Sequence, residues 1–74
     1  MAKKSKMQRE IAAFGACLRR ERMERALTQE RVAELADLNI RTLQKIEAGQ
    51  TNILVTTATR LRAAIGCSWE SLLP

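Results

Sequence analysis

The chain has 74 residues, 46% of them hydrophobic but with one Phe, one Trp and no Tyr, so it can hold one domain with a small aliphatic core. A formal net charge of +5 and a pI near 10.0 suggest an anionic partner, nucleic acid first and acidic membrane second. The absence of His excludes Cys-His and Ser-His-Asp catalysis and any imidazole metal ligand, which argues against an enzyme.

Residues 1–7, the basic stretch "MAKKSKM", are polar and charged and are expected to be a disordered tail. No long apolar run follows them, so neither a secretory signal nor a membrane anchor is indicated, and a cytoplasmic location is expected. A first helix is predicted from Gln8, because Ile11, Phe14, Leu18 and Arg22 fall at i, i+3, i+7 and i+11 on one stripe. That stripe puts Arg22 on the core face. Thr28 can cap a second helix, with Gln29 at its first position and Val32, Ala33 and Ala36 on its inner side, ending near Ala36 or Asp37.

Asn39 can cap a third helix running to about Ala48, where Gly49 supplies the positive φ that ends it. Beyond a loop at "QTNI", Leu54, Ala58, Leu61 and Ile65 repeat a helical spacing closed by Gly66, and Ser68 caps a last short turn, "WESLL". No strand signal, internal repeat or low-complexity linker interrupts the pattern, so residues 8–74 read as one compact all-α domain of five helices. Cys17 and Cys67 follow no CxxC spacing and read as free thiols, and no metal, other cofactor or small-molecule ligand is expected.

On a helical wheel of about 100° per residue, Leu43 and Ile46 share one side of the third helix, while Ile40, Arg41, Gln44 and Lys45 spread over the other. Two cations, an amide and a branched apolar tip suit the major groove: Arg and Lys donate to guanine, Gln pairs with adenine, and an aliphatic group meets the thymine methyl. The same residues also fit an ordinary solvated face with one stray Ile. The start of the second helix, at Thr28 and Gln29, is where a helix-turn-helix lies across a phosphate.

Through "FGACLRRER", "LTQERVAELADL", "RTLQKIEAGQTN" and "LRAAIGCSWESLL", residues 11–73 resemble the Cro/C1-type (XRE-like) helix-turn-helix regulators, which include phage repressors and restriction-modification controllers. The resemblance implies a five-helix, lambda-repressor-like fold that binds DNA through its second and third helices. It implies base reading by Asn39, Ile40, Arg41, Gln44 and Lys45, phosphate contact by Thr28 and Gln29, and a place for Gln50, Thr51 and Asn52 near the backbone across the groove. It also implies an ion pair between Arg22 and Glu47, which agrees with the wheel, where Glu47 lies about 40° from Leu43. The chain departs from the family in carrying Ala26 and Asp37 where Gly is frequent, Ile53 where Pro is frequent, Glu21 where an apolar residue is usual, and the apolar Ile40 at a position open to a polar reader.

Regulators of this kind bind two half-sites as dimers. Ile53, Val55, Trp69, Leu72 and Leu73 crowd the C-terminal third with more apolar surface than its helices can bury, and are the candidate interface of a homodimer on a double-stranded DNA operator. Closure of the monomer core by Trp69 and Leu72 is the competing reading. Two other functions fit the sequence: an antitoxin-like or bridging module that grips another polypeptide, and a binder of nucleic acid or anionic membrane driven by charge alone.

Overall fold

The structure, a computed structural model, describes residues 5–73, so residues 1–4 of the basic tail and Pro74 lie outside it. It holds five helices: α1 (Lys6–Glu24), α2 (Gln29–Leu35), α3 (Ile40–Glu47), α4 (Val55–Ile65) and α5 (Trp69–Leu72). The first helix starts two residues ahead of the Gln8 expected from the apolar stripe, because Ser5 and Gln8 form a reciprocal cap. Gln8 N donates to Ser5 Oγ at 3.1 Å and Ser5 N donates to Gln8 Oε1 at 2.9 Å.

Thr28, Asn39 and Ser68 each turn a side-chain oxygen onto the first turn of the helix they precede. The helix ends share a second device. Leu27 N donates to Arg22 O, Leu38 N to Ala33 O and Gln50 N to Lys45 O, each bond spanning a residue at positive φ. That residue is Gly49 in the third case but Ala26 and Asp37 in the first two, both at φ 55. The two turns keep the shape that Gly would allow more cheaply, at a cost of roughly 1–2 kcal/mol each.

Leu18, Val32, Leu43, Ile46, Leu61 and Leu72 are the largest fully buried side chains, and they draw all five helices onto one aliphatic core. Leu72 therefore belongs to the interior, which corrects its assignment to a dimer surface: the short α5 folds back on α1 and points this side chain inward. Leu54 is corrected the other way. It occupies the N-cap of α4, off the helical stripe, and is exposed together with Val55.

The α1 and α3 backbones approach closely at Gly15, where a Cβ would overlap the Ile46 carbonyl oxygen and sit 3.0 Å from that of Glu47. This approach sets the two helices near enough for a bidentate ion pair. Arg22 Nε donates to Glu47 Oε2 at 2.8 Å and Arg22 Nη2 donates to Oε1 at 3.0 Å, while Nη1 donates to the Leu27 carbonyl at 2.8 Å.

Glu21, the neighbour of Arg22 in α1, is also buried, and its arginine partners reach the C-terminal helices. Arg25 and Arg20 bond its carboxylate at 3.1 and 3.4 Å and also reach the carbonyls of Gly66 and Ser71, which ties α1 to the ends of α4 and α5. Burial pushes the Glu21 carboxyl up, but the hydrogen bonds and charges of the two arginines outweigh it and hold the group below its ordinary value. Burial pushes the Cys67 thiol up, which disfavours its thiolate.

Two stability predictions follow from the α1–α3 contact. Gly15→Ala forces these helices apart and is expected to cost roughly 1–3 kcal/mol in chemical denaturation. Arg22→Met strands the Glu47 charge and is expected to cost about 3 kcal/mol, a drop of more than about 10 °C in thermal unfolding followed by circular dichroism. An unchanged or higher melting temperature would show that the pair holds nothing together.

Candidate nucleic-acid interface

The inner side of α3 is committed to the fold through Leu43, Ile46 and Glu47, all buried, so its outer side is presented rigidly. Arg41, Thr42, Gln44 and Lys45 are exposed there. Among the described residues neither Arg41 nor Lys45 has an ion-pair partner, in contrast to Arg31, which pairs with Glu34 at 2.9 Å. Thr42 was not singled out from the sequence, although its wheel position, about 60° from Lys45, was signal enough.

Ile40 departs from the expected free face. It is half-buried and packs against the core cluster. Asn39 spends its side-chain oxygen on the helix cap, accepting from Arg41 N at 2.8 Å, and retains its NH2 as a donor. Thr28 likewise accepts from Arg31 N at 3.0 Å and keeps its hydroxyl hydrogen.

Gln29, assigned to phosphate, is engaged within the protein. Its Nε2 donates to Glu47 Oε1 at 3.1 Å, and its Oε1 accepts from Gln44 Nε2 at 3.3 Å. A continuous chain of bonds therefore runs from Arg22 through Glu47 and Gln29 to Gln44 on the exposed face. One N–H of Gln29 is left over for a phosphate oxygen.

Gln50 and Asn52 are exposed and Thr51 is half-buried in the loop after α3. Thr51 Oγ1 donates to Asn52 O at 3.2 Å, and Asn52 Oδ1 accepts from Ile53 N at 2.9 Å, so the loop is fixed by its own polar groups. Its Asn52 NH2 has no partner among the described residues. The ridge of α3, the start of α2 and this loop thus offer cations and N–H donors, the groups that phosphates and base edges accept from.

Of the residues assigned to a subunit interface, Val55, Trp69 and Leu73 are exposed and Ile53 is half-buried. Trp69 stacks under Arg62, whose guanidinium carbon is 5.2 Å from the ring centre. Leu54, exposed at 73%, and Met7, at 60%, add to the apolar surface and were missed, since helical periodicity alone put Leu54 inside and the tail was expected to be disordered. Between α1 and the 51–53 loop a groove of about 560 Å³ is lined by Met7, Ile11, Phe14, Ile53 and Leu73, with Glu10 and Asn52 at its edge.

Among the described residues no group of three His, Cys, Asp or Glu is placed to hold a metal, and no helix is long and apolar enough to cross a membrane.

Comparison with curated proteins gives no match. Solved structures share the fold. The restriction-modification controller protein C.AhdI from Aeromonas hydrophila superposes with a TM-score of 0.83 at 28% identity, over 88% of this chain and 98% of that one. The hypothetical transcription factor NHTF from Neisseria superposes at 0.82 with 24% identity, over all of this chain and 86% of that one. The wild-type restriction-modification controller protein C.Esp1396I superposes at 0.79 with 17% identity, over 93% of this chain and 86% of that one. The helix-turn-helix family model matches residues 18–72, which contain every helix except the first twelve residues of α1. The chain belongs to the helix-turn-helix family of Cro/C1-type (XRE-like) DNA-binding transcription regulators.

Proposed function

We propose that the chain is a sequence-specific regulator of transcription that binds a double-stranded DNA operator as a homodimer, in the cytoplasm, with α3 in the major groove. The observation that carries this reading is the pair of exposed cations, Arg41 and Lys45, which have no ion-pair partner among the described residues and flank Gln44 on a helix whose opposite side is locked into the core. The groove of B-form DNA, about 12 Å wide, admits such a helix. Arg41 and Lys45 suit guanine O6 and N7, Gln44 suits adenine, and Asn39 and Thr42 can donate from the rim of the helix.

Thr28, Gln29, Gln50, Thr51 and Asn52 flank α3 on its two sides and serve the phosphates, which fix register but carry no sequence information. The half-buried Ile40 fits only marginal contact with a thymine methyl. The likeness to controller proteins supports a regulatory role.

Leu54, Val55, Trp69 and Leu73, with the half-buried Ile53, supply the apolar surface for a second copy. The same surface gives some weight to a second reading, a bridging module whose main partner is another polypeptide.

Selection from a random duplex pool separates these readings. The purified protein is expected to enrich a pseudo-palindromic motif with half-sites about one helical turn apart. Arg41→Ala and Lys45→Ala should each relax the preference at particular positions by about 1–3 kcal/mol. Weak binding that is lost steeply with salt, without a motif and shared by all variants, would mean that the exposed face is only charge.

A further inference from the structure

The last helix, Trp69–Leu72, is a single turn, and so short a helix does not hold itself in place. Its inward anchor is the buried Leu72, while Trp69 and Leu73 are exposed. One anchored side chain leaves the turn free to swivel about it, so the remaining ties decide how it sits. They come from α1. Arg20 Nη2 donates to Ser71 O at 3.1 Å and Arg25 Nη2 donates to Gly66 O at 3.5 Å, which sets guanidinium groups on carbonyls at the ends of α5 and α4.

Glu21 aims both groups. Its carboxylate accepts from Arg20 Nε at 3.4 Å and from Arg25 Nη1 at 3.1 Å. A guanidinium is planar and rigid, so holding one edge of it fixes where the remaining nitrogen points. The carboxylate is the fixed member of the cluster, with its side chain 9% exposed against 56% for Arg20 and 36% for Arg25. Without that buried acceptor the two arginines turn to solvent and release the carbonyls they hold.

We propose that Glu21, acting through Arg20 and Arg25, is a positioning residue that fixes α5 and so sets how tightly two copies of the chain pair. The inference rests on α5 belonging to the subunit interface. Adjacent residues of α1 then have separate tasks: Arg22 holds the reading helix and Glu21 holds the pairing surface. None of the bonds around Glu21 involves α3, so loosening them weakens pairing and leaves base preference unchanged.

The test is sedimentation equilibrium of the wild type, Glu21→Gln and Arg20→Gln, with Val32→Ala as a variant that thins the core at α2. Melting curves verify that each is folded. Trp69 is the only Trp of the chain, so its emission reports the setting of α5.

Glu21→Gln is expected to raise the dimer dissociation constant about tenfold, and to shift Trp69 emission to the red at concentrations where the protein is monomeric. Arg20→Gln, which spares the bond from Arg25, should raise the constant about threefold, and Val32→Ala by less than about twofold. In a Leu73→Ala background the effect of Glu21→Gln should shrink to about twofold, because the surface it positions is already impaired. Unchanged pairing or unchanged Trp69 emission in Glu21→Gln would overturn the positioning role and leave the homodimer standing. So would an equal loss of pairing in Val32→Ala, or an undiminished effect in the Leu73→Ala background. A wild type that stays monomeric at every concentration would overturn the homodimer assignment itself and this inference with it.

Discussion

Arg22 and Glu47 meet through two hydrogen bonds with side chains only 11% and 3% exposed, and everything that α3 can do depends on where that contact holds it. Isolated in this interior, either charge would be costly, so each fixes the other's place. The guanidinium also bonds the Leu27 carbonyl just before α2, so a single side chain ties together α1, the entry to α2 and the end of α3. Gly15 makes this possible, since only a residue without a Cβ lets the two helix backbones come so close.

Charge is used differently around Glu21 and on α3. Around Glu21, the arginines Arg20 and Arg25 are consumed in holding helix ends together, and Arg62 is laid over Trp69. On α3 the cations have no ion-pair partner among the described residues, and the one amide between them is connected inward. A basic composition alone would attract phosphate at any face. Arg41 and Lys45 beside Gln44, on a helix anchored from behind, are what give this face the means to read bases.

The fold was largely legible because its signals are local. Thr28, Asn39 and Ser68 capped helices as their side chains allow, Gly49 and Gly66 stood at positive φ where helices end, and the apolar stripes located Leu18, Leu43, Ile46 and Leu61. Some local signals went unused. The Ser5–Gln8 spacing already spelled a reciprocal cap, and the Glu21–Arg25 spacing already offered an i, i+4 pair.

What could not be read was tertiary. Periodicity does not tell whether Leu72 faces inward or toward a second copy, nor that the N-cap of α4 falls on Leu54 and exposes it. At the candidate interface the outward Arg41, Gln44 and Lys45 followed from the wheel. The partial burial of Ile40 and the engagement of Gln29 by Glu47 and Gln44 did not, because both depend on how α2 packs on α3.

The most direct measurement is a nuclear magnetic resonance titration of the labelled protein with the duplex it selects, following backbone amides together with the side-chain groups of Arg22, Arg41, Gln44 and Lys45. If α3 enters the groove from its anchored position, the largest shifts fall on Arg41, Gln44 and Lys45, while Arg22 Nε–H stays as protected as in the free protein. Shifts centred on α5 and the Met7–Leu73 groove, or loss of protection at Arg22 on binding, would contradict a reading helix held by its buried ion pair.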